Sequence, residues 1–325
     1  MNTLYIYVMF LLAMLSSEGM AKKRKPNNRP TIGVLTQKVH SAFSPQVKKS
    51  EGYIAASYVK YLEMAGAQVV PILATMKPKA VRKLVRSING ALFPGGAAPL
   101  DDSPFYETAS VIYHEAKKLN DKGVHFPLWG TCLGFETLHN LAAEENILMD
   151  VVAENISMEL NFTQHAFRSR LFEDMDKKMM QDLMFEKITL NMHHSGISPE
   201  LYGTNLKLNA MYRVLSTNFD EKGVEFVSTV EGIKYPFYGT QWHPEKNLFE
   251  WTTREAINHS PEAVAVAQYL SNFFVNEARK NFQKFKSVKE EIKHSIFKYA
   301  PIFSGGTSLF EQVYVFGNGS EIIQH

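Results

Sequence analysis

The chain has 325 residues, of which 45% are hydrophobic and 21% charged, with a formal net charge of +2. That size allows one large or two small globular domains. A charge this close to balance gives no electrostatic reason to expect nucleic acid or a membrane surface as partner.

The chain opens with an apolar run over 4–15, too short to cross a bilayer. Ser16-Ser17-Glu18-Gly19-Met20-Ala21 follows, with small residues at positions suited to cleavage. Residues 1–21 therefore read as a secretory signal peptide, and 22–325 as one mature domain. The basic run Lys22-Lys23-Arg24-Lys25 then becomes the solvated start of the mature chain. Export gives weight to cysteine usage, because secreted chains tend to pair their cysteines and this one has only Cys132. An unpaired thiol in that setting is a candidate reactive group. The sequons at Asn155, Asn161 and Asn318 fit the same route, whereas the one at Asn258 is weakened by Pro261 directly after Ser260.

From Thr31 onward, short apolar runs alternate with helical spacing. Strands are expected over 31–35, 69–73 and 91–93, and helices over 54–63, 81–88 and 106–119. The turn Pro94-Gly95-Gly96 follows the third strand, and Asp121-Lys122-Gly123 leads into a fourth that begins at Phe126. Strands separated by helices of this length imply parallel β-α-β units, with helices on both faces of the sheet. The stretch 151–210 is less regular and rich in methionine and polar residues. Beyond it, runs over 212–217, 224–230 and 236–242 read as strands joined by short turns, hence antiparallel additions to the sheet. A long amphipathic helix is expected over 263–282. No internal repeat or linker divides the chain, so the fold class is α/β, a three-layer sandwich around a mostly parallel sheet.

Two segments carry the chemistry. Gly130-Thr131-Cys132-Leu133-Gly134 lies where the fourth strand turns into the helical spacing of 135–141, the pattern of a nucleophile elbow. Such a turn lifts the central side chain, here Cys132, above the sheet edge. The start of the following helix supplies N–H groups that favour a thiolate. A cysteine nucleophile needs a base, and the base needs a group to orient it. Gln241-Trp242-His243-Pro244-Glu245 offers both. If extended, it places Gln241, His243 and Glu245 on one face, with Glu245 accepting from one imidazole nitrogen and Trp242 turned the other way. No ligand spacing for a metal is present, since His193 and His194 are adjacent and in a strand would face opposite ways. No cofactor is implied.

Together these two segments resemble the class I glutamine amidotransferase-like superfamily, whose fold is flavodoxin-like. Within it the chain is most similar to the gamma-glutamyl hydrolases, peptidase family C26. That likeness rests on the stretches 53–63, 92–96, 127–136, 235–246 and 273–280, and so covers essentially the mature chain. Glutamine amidotransferases usually carry Gln four positions after the cysteine, where this chain has Glu136. The substitution argues against a glutaminase feeding ammonia to a synthase, and helical spacing from Cys132 makes Glu136 an expected pocket residue. In gamma-glutamyl hydrolases a further histidine from the middle region approaches the site, and it corresponds to His193. The resemblance implies a folate (pteroyl) poly-gamma-glutamate as small-molecule substrate, a secreted or lysosomal location and a homodimer. Cys132 would attack the gamma-amide carbonyl, with His243 as acid and base and Glu245 orienting it. The oxyanion would rest on the Leu133 N–H and one from Gly95 or Gly96. Two other readings remain open from the residues: a hydrolase of small gamma-glutamyl amides, and a secreted glycoprotein that binds without turnover.

Overall fold

The computed structural model describes residues 25–39 and 51–317. The leader expected over 1–21 and the Asn318 sequon lie outside the described residues.

The first half of the chain builds the sheet expected of alternating strands and helices. In order come β1 (Thr31–Leu35), β2 (Gly52–Ala55), α1 (Ala56–Met64), β3 (Gln68–Ile72) and α2 (Pro78–Val85). They are followed by β4 (Gly90–Phe93), α3 (Pro104–Asp121), β5 (Leu128–Thr131) and α4 (Leu133–Ala143). The middle holds β6 (Met149–Met158), β7 (Asn161–Phe162), α5 (Lys177–Phe185), β8 (Thr189–Gly196), α6 (Leu201–Thr204) and α7 (Leu206–Met211). The remainder comprises β9 (Tyr212–Phe219), β10 (Glu225–Gly232), β11 (Phe237–Thr240), α8 (Lys246–Phe249), α9 (Pro261–Ala278), α10 (Val288–His294), β12 (Ile302–Phe303) and β13 (Gln312–Phe316).

Among the described residues the main sheet has eight strands in the order β3-β1-β4-β5-β11-β10-β9-β7. Strands β3, β1, β4, β5 and β11 run parallel, and β10, β9 and β7 continue the sheet antiparallel. The meander β9-β10-β11 is thus antiparallel within itself, as short turns require. Its last strand still lies parallel to β5, which completes the crossover sheet. Alternation sends neighbouring side chains to opposite faces. Val69, Leu92 and Trp129 pack with α1 and α9 on one side, and Val70, Phe93 and Leu128 with α2, α3 and α4 on the other. Both helical layers are therefore anchored by the same strands.

Two features depart from the sequence expectation. Ile54 and Ala55, expected to open a helix, belong to β2, which pairs with β13 in a small sheet completed by β12. The pairing partner lies about 260 residues further along, so it leaves no local signal. The irregular middle contains the ribbon β6–β8, whose strands are separated by a helix and so carry no hairpin turn to betray them. No helix among the described residues is long and apolar enough to cross a membrane.

Candidate active site

Parallel register brings the two motifs to one edge. Thr131 of β5 pairs with Thr240 of β11, and Phe93 of β4 with Gly130 of β5. Gly95, Cys132 and His243 therefore emerge just beyond the carboxyl ends of three adjacent strands, where open α/β sheets bind ligands. The Cys132 N–H continues the ladder by donating to the Thr240 carbonyl at 2.9 Å.

The elbow is strained at the cysteine itself. Cys132 has φ 50° and ψ −110°, a conformation costly for a side-chain-bearing residue, at roughly 1–3 kcal/mol. Its flanking glycines have normal φ and serve close packing rather than the strained turn itself. A methyl group on Gly134 would stand 2.0 Å from the Phe93 carbonyl oxygen, and one on Gly130 would stand 2.5 Å from the Gly134 carbonyl oxygen. They permit the close approach of helix to sheet that pins the turn.

Cys132 is 5% exposed, and its Sγ lies 3.9 Å from the Met192 carbonyl oxygen of β8. Burial, and then the neighbouring Glu136 carboxylate, push the thiol up, while a hydrogen bond from the Leu133 N–H pulls it down. The expected help from the helix start is present in that N–H, but burial outweighs it. A thiol pushed up in this way calls for a base to take its proton.

His243 Nδ1 lies 2.8 Å from Glu245 Oε1, and both residues are buried. With Nδ1–H donated to the carboxylate, Nε2 keeps the free lone pair. The pair forms by a turn rather than by strand alternation, because β11 ends at Thr240 and Glu245 already has the helical φ −68°, ψ −28° that opens α8. Gln241 consequently parts company with His243 and donates from Nε2 to Glu136 Oε1 at 3.0 Å. Trp242 points into the layer of α1 and α9, as expected.

Gly95 is the hinge of the arrangement. A methyl group there would stand 2.5 Å from His243 Cε1, 2.9 Å from the Tyr58 hydroxyl and 3.2 Å from Cys132 Cβ. One missing side chain thus lets ring, hydroxyl and thiol-bearing carbon share a single space. The Gly95 N–H donates to the Tyr58 hydroxyl at 2.7 Å, and that hydroxyl lies 3.4 Å from His243 Nδ1. The Gly95 N–H is therefore occupied, and the Gly96 N–H has no partner among the described residues. Gln37 Nε2 holds the Gly95 carbonyl at 2.5 Å, which fixes the peptide that presents Gly96.

A cavity of about 860 Å³ opens over Cys132 and His243, with Gly95, Gly96 and Met192 in its lining. Glu136 and His193 are not in that lining. Glu136 is covered beneath the elbow, where burial raises its carboxyl to about 8 against the opposing Gln241 hydrogen bond. His193 stands on β8, but strand alternation sends its ring inward, edge-on to Phe226. Its Nδ1 faces the Ser195 carbonyl at 2.8 Å, its Nε2 faces Asn191 Oδ1 at 3.0 Å, and burial lowers it to about 3. Its neighbour Met192 reaches the cysteine instead. Three further features of the site carried no local motif: the Tyr58 hydroxyl, the Met192 carbonyl, and a cavity wall of Lys246, Arg254, Glu255 and 307–310. Of these only Tyr58 had a signal, a hydroxyl on the apolar face of an expected helix, which needs a buried partner.

The sequon residues differ among themselves. Asn155, at φ 59°, accepts from the Ala256 N–H at 2.6 Å and donates to the Arg254 carbonyl at 3.2 Å. Ser157 Oγ donates to the Ala256 carbonyl at 2.7 Å. Asn161 sits exposed at the sheet edge on β7.

Comparison with known proteins places this geometry in a lineage. Residues 30–245 match the family model described as Peptidase C26. The chain is 43% identical over 307 residues to gamma-glutamyl hydrolase of Mus musculus, covering 94% of this chain and 96% of the relative. It is 45% identical over 290 residues to gamma-glutamyl hydrolase of Homo sapiens, covering 89% and 90%, and 40% identical over 296 residues to gamma-glutamyl hydrolase B of Dictyostelium discoideum, covering 90% and 85%. Among solved structures, the glutaminase domain of Trypanosoma brucei CTPS with bound acivicin shares the fold at a TM-score of 0.50 and 14% identity, covering 79% of this chain and 98% of that one. This chain belongs to the peptidase C26 family and is a hydrolase of gamma-glutamyl bonds.

Proposed function

We propose that the substrate is a folate poly-gamma-glutamate and that Cys132, His243 and Glu245 perform the cleavage through a thioester. The gamma-amide carbonyl carbon is attacked by Cys132 Sγ while the thiol proton passes to His243 Nε2. The imidazolium then gives that proton to the departing glutamate nitrogen, and the C–N bond breaks to leave an acyl-cysteine. Water attacks the thioester, its proton goes to the same nitrogen, and the C–S bond breaks with the proton returned to sulfur. Glu245 holds the ring in the tautomer this sequence needs. The oxyanion rests on the N–H groups of Leu133 and Gly96, since Tyr58 occupies that of Gly95.

The observation that carries this reading is the shared space at Gly95, into which the His243 ring and the Cys132 Cβ both press. A cavity of about 860 Å³ supports a chain-like substrate over a small gamma-glutamyl amide, for which it is oversized. We further propose a leader at 1–21, a single domain over 22–325, a secreted or lysosomal site of action, and a homodimer. Asn161 is the sequon best placed to carry a glycan.

The test is a time course of product lengths from one defined pteroyl-poly-gamma-glutamate, alongside a small gamma-glutamyl amide. Release of shortened folates with rates well above those for the amide is expected. Preference for the amide would reassign the substrate. Cys132→Ala should lower turnover by about 10⁶-fold with folding retained, as loss of a nucleophile does elsewhere. Substantial residual turnover would remove Cys132 from its role.

A further inference from the structure

We propose that α10 and the adjoining α2 form a docking face for the surface of an anionic lipid bilayer. The face lies outside the catalytic cavity, and its assignment is independent of the substrate.

The small net charge of the chain conceals a local excess. Segments 77–86 and 284–298 hold ten of the 35 lysines and arginines but only two of the 33 acidic residues, so the remainder of the chain is net negative. The two segments meet in space. Lys83 of α2 reaches Glu290 of α10 at 2.9 Å, and Phe285, just before α10, shares a core cluster with Val81 and Leu84 of α2. Between them lies a cavity of about 410 Å³, lined by Lys83, Lys289, Lys293 and His294. The acid in that lining is Glu290, which Lys83 already engages.

α10 sorts its residues by face. At about 100° per residue, Glu290, Glu291 and His294 fall on one arc, and Val288, Ile292, Lys289 and Lys293 on the other. The first arc is held in place: Glu290 by Lys83, Glu291 by Arg29 at 2.9 Å, and the His294 ring stacked on Phe285 with 5.5 Å between centroids. The second arc stands in solvent. Val288 is 70% and Ile292 59% exposed, and Lys289 and Lys293 are exposed with no acidic partner among the described residues. Phe297, in the short helical turn Ile296–Lys298 that follows, is 69% exposed.

A single exposed apolar side chain needs no explanation, whereas an apolar stripe beside a lysine stripe on one helix does. A soluble polyanion would use the lysines and gain nothing from Val288 and Ile292. An anionic bilayer uses both, because headgroup phosphates meet the lysines while the apolar side chains enter the boundary between headgroups and acyl chains. The cavity gives one such phosphate a seat among three lysines. Positive charge is already crowded there: burial, and then Lys293, Lys83 and Lys298, hold the His294 imidazole below its ordinary value against the pull of Glu290. The contact lies on the surface of the bilayer, since no helix among the described residues is long and apolar enough to cross it.

The experiment is co-sedimentation of the whole protein with vesicles of phosphatidylcholine alone and with vesicles containing about one third phosphatidylserine. Binding to the second and not to the first is expected, weakening as salt rises. Lys289→Glu/Lys293→Glu should weaken binding at least about 25-fold, at about fivefold per lysine lost. Val288→Ser/Ile292→Ser should weaken it about tenfold. Hydrolysis should be unchanged in both variants, because none of these four side chains lines the catalytic cavity. Equal binding to both kinds of vesicle overturns the assignment, as does binding that survives the lysine reversals. A loss confined to the lysine variant, together with its lost retention on heparin, would give the face to a soluble polyanion and overturn the bilayer. A halved mass for the serine variant in analytical sedimentation would make the stripe a contact between copies of this chain, and would overturn it too.

Discussion

At the carboxyl edge of the sheet, Gly95, Cys132 and His243 leave three neighbouring strands at positions set by ladder register. Across the cavity, the wall of Gln37, Lys38, Arg254, Glu255 and 307–310 comes from loops far apart in the chain. The first region is placed by backbone hydrogen bonds and close glycine contacts. The second is held by side chains: Asn155 on Ala256, Glu255 on Lys246, and Arg254 on the Ser308 carbonyl. Rigid, pre-set geometry suits a reaction in which small misplacements are costly. A side-chain-built wall can differ between relatives without disturbing the chemistry. Damage to the edge should therefore appear in kcat, and damage to the wall in KM.

The largest effect that would sharpen this contrast comes from the imidazole pair. His243→Ala should lower kcat by about 10⁶-fold and Glu245→Gln by a smaller factor, about 10³- to 10⁴-fold, if the carboxylate only orients the ring. Steady-state rates with equal losses would show that Glu245 does more. Next is Gly95→Ala, whose methyl meets His243 Cε1 at 2.5 Å. Displacing the ring should cut kcat by about 100-fold with little change in KM. A KM effect instead would break the division between edge and wall.

On the wall, Asn155→Gly keeps the positive φ and deletes the clamp on the 254–256 loop. KM should rise about three- to tenfold, the effect of one or two lost hydrogen bonds, with kcat nearly constant. A kcat loss would show that the loop acts on the reacting centre. The smallest effect belongs to Glu136→Gln, with activity at neutral pH within about threefold, since a carboxyl raised to about 8 is protonated there and already amide-like. Stability gives the sharper readout. Between the ordinary carboxyl value near 4.5 and about 8, the native state holds a proton that the unfolded chain releases. The parent should then lose stability as pH rises through that window, by at most about 1.4 kcal/mol per pH unit. Denaturant melts of the Gln variant should lack that slope.

Much of this was legible in the residues. The alternation of strand and helix runs implies the parallel sheet, and Gly130-Thr131-Cys132-Leu133-Gly134 and His243-Pro244-Glu245 mark the candidate reacting groups, because both are local patterns with local causes. Burial of Cys132 was not legible, so the helix start looked sufficient to ionise it. His193 was expected at the site from the family resemblance, while the way its side chain faces could be known only from the pairing of β8 with β6.

From the sequence by itself come most elements of the main sheet, their parallel arrangement and the candidate nucleophile and base, since hydrophobic period and turn chemistry act over a few residues. Tertiary structure alone decided that Tyr58 occupies the Gly95 N–H, that Glu136 is covered with its carboxyl raised, and that Lys246 meets Glu255 beside the cysteine. Those outcomes depend on desolvation and on contacts between residues distant in the chain, and neither leaves a mark in local composition.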